Sequence, residues 1–257
     1  MKNLSNSNIF SREEQDIAKD LLNSINLNSN KNEVSPFLTS LEQKILDKVV
    51  KYSAPDVQLD FFGGIEDSER KRAKIIVNEY YDIDYDIVCL HASFNSKFNI
   101  IKHRDVMGAV HNLGINFNRV GDIIVKDEDI YIFADKTIAD YILMNFSQIG
   151  RAVLNFEIIE NLESLSLEKD YEQINIVASS HRIDSIVSKI TNKSRSKVKE
   201  MLEKDFIKLN HSVINSGEKN CSVGDMISIR KYGRYTIKES NQNSKSLKYR
   251  ISLDKFV

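Results

Sequence analysis

The sequence predicts an α+β protein: a helical N-terminal segment, a ferredoxin-like α/β sandwich and a small C-terminal α+β module. Three observations predict it. Apolar residues recur at helical spacing near the N-terminus, residues 87–159 read β-α-β-β-α-β, and residues 178–239 read as two helices followed by short alternating strands. The chain has 257 residues, enough for two or three domains with real cores. Hydrophobic residues make up 41% and charged residues 28%, as in ordinary soluble proteins, so a membrane partner is not expected. No stretch approaches the roughly 20 apolar residues of a membrane span. The opening MKNLSNSNIF lacks the apolar centre of an export signal, so a cytoplasmic location is expected. Cys89 and Cys221 lie far apart without a partner motif, which predicts neither a zinc site nor a disulfide.

The elements follow in order. Ser11 and Glu14 form a capping-box pair, and Ile17, Ala18, Leu21, Leu22 and Ile25 share one helical face. Residues 26–32 are an Asn-rich linker. Pro36 precedes a second helix, capped by Ser40 and Gln43, with Ile45, Leu46, Val49 and Val50 as its stripe. Pro55 ends this region and sets a first boundary, 1–55. The middle domain, 56–160, opens with a strand at 57–62, and Gly63-Gly64 leads into a charged helix at 67–79. Next come a strand at 87–92 and a helix at 102–113 with Val106, Met107, Val110 and Leu113 inward. A hairpin of 122–125 with 130–133 follows, then a helix marked by Ile138, Tyr141, Ile142 and Phe146, and a last strand at 152–159. This is the split ferredoxin-like order, shared with RNA-recognition-motif folds. It specifies no function by itself, and residues 130–135 do not match the aromatic consensus of such motifs. Residues 161–173 read as a polar linker before a third domain, 174–257.

The net charge of −1 hides an asymmetry. Residues 178–257 carry 17 Lys and Arg against 8 Asp and Glu, and residues 1–177 carry 19 against 29. A basic end on an acidic body fits a polyanion partner, although an unevenly charged solvated surface has the same composition. Placement is more informative than the count. Ile183, Ile186, Val187 and Ile190 form one helix face, and Val198, Met201 and Leu202 form the next. Arg182 opens the first helix. Ser194, Arg195, Lys197 and Lys199 open the second, where the helix dipole disfavours cations. A phosphate seated between these cations and the free N–H groups resolves the conflict.

The pattern H-R-I-D, then S-R-x-x-V-x-x-M-L, F-I-K-L-N and V-G-D-M-I-S-I-R, resembles the αL-type RNA-binding domain. That domain takes its name from the fourth small-subunit ribosomal protein and is written S-four below. Where many members carry Gly after the Asn, this chain has His211. The following KYGRYTIKE extends the resemblance: Lys231, Tyr232 and Arg234, next to Arg230 at the end of the preceding motif, offer charge and stacking surface, and Tyr235 is expected in the core. Further motifs, FFGGIEDSERKRAKI, KHRDVMGAVHNLGINFNRVGDIIV and QIGRAVLNFEII, make the chain from Phe37 onward similar to the bacterial YlmH family. The resemblance implies a non-enzymatic RNA-binding protein that binds split large ribosomal subunits carrying peptidyl-tRNA, in ribosome-associated quality control.

The expected RNA-binding residues are Arg182, Ser194, Arg195, Lys197, Lys199, Asn210, Arg230, Lys231, Tyr232 and Arg234, with Asn210 either bonding RNA or fixing its turn. A second contact is expected from Arg70, Arg72, Lys74, His103 and Arg104, although a solvated helix face with internal ion pairs explains the first three equally well. The partner is structured RNA (rRNA and possibly tRNA) on the large subunit, and the free chain is expected to be a monomer. No cofactor and no metal are expected. Gly63-Gly64 lacks the Gly-Lys-Ser/Thr of a nucleotide loop, His103-Arg104-Asp105 stands without the other kinase motifs, and the five histidines are dispersed. The alternative is an RNA-modifying enzyme of the pseudouridine-synthase kind, targeted by the S-four module. Its best catalytic candidate, Asp184, lies inside that module.

Overall fold

The computed structural model describes residues 10, 12–25, 27, 31–78, 81–165, 167, 171–210, 212–242 and 248–256. The chain divides into two compact units, 1–168 and 169–257.

In the first unit, α1 (Arg12–Ser24) and α2 (Ser40–Ser53) pack over a three-stranded antiparallel sheet. Its order is β1 (Glu33–Val34), β3 (Arg72–Ile76), β2 (Gln58–Phe62). Ala18, Leu21 and Ile25 meet Ile45, Leu46, Val49 and Val50 from α2 and Ala73 and Ile75 from β3. The expected boundary near Pro55 therefore falls inside one shared core. Thr39 rather than Ser40 caps α2. Its hydroxyl accepts from the Glu42 amide at 3.3 Å, and the Glu42 carboxylate accepts from the Thr39 amide at 2.6 Å. Ser11, the expected first cap, lies outside the described residues.

The charged helix expected at 67–79 is a correction: residues 72–76 form β3, paired along its length with β2. Ala73 and Ile75 face the helices, a period of two that the surrounding charges disguised. The cations are internal ties. Arg72 is 7% exposed; its Nε donates to the Ser35 carbonyl at 2.8 Å and its Nη1 to the Asp86 carbonyl at 3.1 Å. Arg70 donates from Nε to the Val120 carbonyl and from Nη2 to the Phe37 and Phe117 carbonyls. Burial lowers the pKa of both guanidinium groups, Glu42 and Asp122 opposing it at Arg70 and Asp135 foremost at Arg72.

The sandwich consists of β4 (Ile87–Ser93), α3 (His103–Asn112), β5 (Val120–Lys126), β6 (Asp129–Asp135), α4 (Ala139–Asn145) and β9 (Glu157–Ile159). A small pair, β7 (Gln148–Ile149) with β8 (Ala152–Val153), precedes β9. The sheet order is β5-β6-β4-β9, antiparallel throughout, as the split ferredoxin-like arrangement requires. The single strand expected at 152–159 is two pieces, because β8 pairs with β7 and only β9 joins β4. Leu90, Ala92, Ile130 and Ile132 lie under Val106 and Val110 of α3 and Ile142 of α4. Met107, expected inward, is 38% exposed.

The opposite sheet face explains the missing RNA-recognition signature. Aromatic side chains on that face stack bases in such motifs. Here Phe37 and Ile65 cover Ile87, Cys89 and Phe133. The cover is tight: a Cβ on Gly121 would stand 2.6 Å from the Phe37 ring, and one on Gly64, whose φ is +103°, would stand 2.3 Å from that of Phe133. Beyond the cover, the His91 ring stacks on Tyr131 with centroids 4.8 Å apart. Its Nε2 lies 2.9 Å from Asp129 and its Nδ1 3.1 Å from Glu157. Burial alone would lower the His91 pKa, but the two carboxylates outweigh it and raise it above the ordinary 6.5. The resulting stabilisation is complete below about 6.5 and is lost as pH rises through the folded value. An imidazole NMR titration should place the His91 midpoint above that of a free histidine; a midpoint at or below it would contradict the bracketing.

The second unit is a six-stranded antiparallel sheet carrying two helices. Its elements are β10 (Tyr171–Ala178), α5 (Ile183–Thr191), α6 (Arg195–Glu203), β11 (Ile207–Leu209), β12 (Ser212–Val213), β13 (Met226–Ile229), β14 (Gly233–Gln242) and β15 (Tyr249–Phe256). The strand order is β10-β15-β14-β13-β11-β12. Ile183, Ile186, Val187, Val198 and Leu202 seat the helices on Ile207, Ile227, Ile251 and Leu253. Asn192, left-handed at φ 53°, turns the chain between the helices. The linker expected over 161–173 stops short of Tyr171, where β10 begins and pairs with β15 along its whole length.

Candidate nucleic-acid interface

At the start of α6, the Ser194 hydroxyl accepts from the Lys197 amide at 3.3 Å, the capping role expected of it. Arg195, Lys197 and Lys199 follow within the exposed first turns. Lys197 reaches Glu200 at 2.6 Å, a half-exposed surface pair worth little and readily exchanged. Arg195 donates from Nη2 to the Ser179 hydroxyl at 2.8 Å. The structure thus gathers four of the expected residues at one helix end.

Arg182 is different. Its guanidinium forks onto Asp184, with Nη2–Oδ2 at 2.9 Å and Nε–Oδ1 at 3.2 Å, and its Nη1 reaches Glu218 at 3.2 Å. The Ile183 and Asp184 amides donate to the carbonyls of Lys219 and Gly217. Arg182 therefore latches the start of α5 to the loop before β13. The same latch occupies Asp184.

Asn210 fixes its turn. It is left-handed at φ 50°; its Nδ2 donates to Asp225 at 2.7 Å and its Oδ1 accepts from the Met226 amide at 3.0 Å. Asn210→Ala should cost about 1–3 kcal/mol, since it orphans two groups and leaves a residue that resists positive φ. Urea unfolding of the second unit would measure it, and an unchanged midpoint would show the turn to be indifferent to this side chain. His211 lies outside the described residues.

Around the β13–β14 turn, Lys231 is exposed at φ 74°. Arg230 lies over the Phe206 ring at 4.9 Å and Arg234 over the Phe256 ring at 4.6 Å. Tyr235 is 4% exposed and donates to the Tyr232 carbonyl, which places it in the core as expected. Tyr232 packs partly against that core, so only part of its ring offers a stacking surface.

The five residues of the expected second contact separate. Arg70 and Arg72 are the internal ties described above. Lys74 reaches Asp82 at 3.1 Å and sits 4.5 Å from the Tyr85 ring centroid. His103 and Arg104 stand exposed at the start of α3. Sequence reasoning passed over Lys189 and Lys248, which share a pocket with Arg195. Lys248 is distant in sequence, and only the pairing of β15 with β10 brings it there. Among the described residues, no group of three His, Cys, Asp or Glu side chains is arranged to hold a metal ion.

Comparison with known proteins bears on both units. Residues 81–163, which hold the four-stranded sheet and its two helices, match the family model described as "Putative RNA-binding domain in YlmH". The chain is 28% identical over 226 residues to the "Ribosome-associated protein quality control protein P2" of Bacillus subtilis (strain 168), covering 86% of each. Its fold resembles that of the solved "Cell division protein ylmH from Streptococcus pneumoniae", with a TM-score of 0.51 and 22% identity, over 61% of this chain and 97% of that one. The class is an α+β protein with a ferredoxin-like sheet and a separate basic module. The family resemblance read from the motifs is supported: the sandwich matches the YlmH RNA-binding domain model, and the chain is similar in sequence to the Bacillus subtilis protein over most of its length.

Proposed function

We propose that this protein is a non-enzymatic RNA-binding factor of the large ribosomal subunit, contacting rRNA, peptidyl-tRNA or both during quality control of stalled translation. The observation that carries the reading is the start of α6. Three exposed cations crowd a helix end that already favours negative charge, and among the described residues only Lys197 is paired with a carboxylate there. The ribosome-associated name of the Bacillus subtilis relative points to the same partner. The second unit, with its helix pair and following strands, is read as an S-four module, and shape and backbone rather than base sequence are what it recognises. Against the enzymatic alternative, Asp184 is engaged by Arg182.

The full-length chain should co-sediment with isolated large subunits and be displaced by excess structured RNA. Co-sedimentation that competitor RNA does not disturb would assign the contact to ribosomal protein and overturn the reading.

A further inference from the structure

A pocket of about 260 Å³ opens in the second unit between the end of β10, one side of α5 and the first turn of α6. Ser179 lines it after β10, Ser185, Ser188 and Lys189 from α5, Arg195 from α6 and Lys248 just before β15. It is smaller than the roughly 300–1,000 Å³ of typical small-molecule sites, and apart from Val177 the residues that line it carry a hydroxyl or a cation. No carboxylate is among the described residues that line it.

Arg182, Lys197, Lys238 and Lys255 each hold a carboxylate. Lys189, Arg195 and Lys248 form no such pair among the described residues, although they share one cavity. Three like charges around one space repel unless an anion joins them. The hydroxyls suit that anion. The Ser179 hydroxyl accepts from Arg195 and lies 3.2 Å from the hydroxyl of Ser185, which is 3% exposed. Between them they keep one O–H to give to a ligand. Ser188 already donates to the Lys193 carbonyl at 2.6 Å, so it contributes polarity rather than a proton.

We infer that this pocket is a phosphate socket that seats one backbone phosphate of the bound RNA. The inference rests on the RNA-binding reading above and assigns Ser179, Ser185, Lys189 and Lys248 beside Arg195. A phosphate oxygen accepts from Arg195 and from the serine pair, and the two lysines close over the remaining charge.

Two measurements test it. Inorganic phosphate is titrated into the full-length chain at constant ionic strength, with chloride as control, and the amide resonances of Ser179, Ser185 and Lys189 are followed. Saturating shifts specific to phosphate are expected; shifts no larger than those from chloride overturn the socket. In parallel, binding of a hairpin RNA is measured across salt for the native chain and for Lys189→Ala/Lys248→Ala, two exposed sites outside the core. The double variant should lose the phosphate response and about one unit of salt slope, and Lys189→Arg/Lys248→Arg should restore both. An unchanged slope overturns the seating of an RNA phosphate, even where free phosphate binds. A native chain that binds no RNA refutes the proposed function itself, and the phosphate titration then decides the pocket alone.

Discussion

Asp135→Ala should lower the unfolding free energy of the first unit by about 3–5 kcal/mol, the cost of removing one partner from a buried ion cluster. Asp135 is 6% exposed, at the end of the central strand β6. Its Oδ2 lies 2.9 Å from Arg119 Nε and 3.5 Å from Arg72 Nη1, while its Oδ1 accepts from the Thr137 amide and hydroxyl at 2.9 and 2.8 Å. Truncation deprives the nearly buried Arg72 of its foremost counter-charge and the Thr137 amide of its cap. Because Arg72 lies on β3 and Asp135 on β6, the loss should loosen the N-terminal sheet from the sandwich. Asp135→Asn keeps an acceptor for Thr137 and should recover part of the loss. Burial pushes the Asp135 pKa up, but the Thr137 bonds and the two arginines outweigh it, so the net direction is down. The contribution is therefore present above the ordinary carboxylate value of about 3.9 and disappears as pH falls through the folded value. Urea titrations at neutral and acidic pH would show the native and Asp135→Ala proteins converging in acid. An alanine variant as stable as the native chain at neutral pH would refute the cluster's role.

Reversing charge at the start of α6 should have the largest effect on binding. Arg195→Glu/Lys199→Glu places two carboxylates where the proposal puts phosphates. Each lost contact should remove about one unit from the slope of log affinity against log salt. Affinity at low salt should fall roughly tenfold or more, with no change in fold, because both side chains are exposed and α6 is held by Val198, Met201 and Leu202. Circular dichroism would check the fold, and binding to hairpin RNA the affinity. A double variant that binds RNA as tightly as the native chain would remove α6 from the interface. Arg182→Ala should behave differently: it breaks the latch to Asp184 and Glu218, so its first consequence is a less stable loop before β13.

Much of this was legible in the sequence because hydrophobic period reports packing directly. The faces of α1, α2, α5 and α6 and the sandwich order follow from it. It failed where charge overlaid the period. ERKRAK reads as a solvated helix, yet Ala73 and Ile75 alternate into a core while Arg70 and Arg72 turn inward to backbone carbonyls. Such bonds depend on loops distant in sequence, and no local pattern encodes them. The same holds at the interface. The cations at the start of α6 are visible as a cluster, whereas the engagement of Arg182 by Glu218 and the approach of Lys248 to Arg195 depend on tertiary pairing. The linker read at 161–173 hid β10 because its polar residues mark an edge strand with only Ile174, Ile176 and Ala178 turned to the core.

The central claim is that phosphate contacts from the basic module hold this protein on ribosomal RNA. Its most direct test is the affinity of the native chain for purified large subunits between 50 and 200 mM salt. Three or four phosphate contacts predict a slope near −3 and a loss of roughly fifty-fold over that range. A flat dependence would contradict the claim.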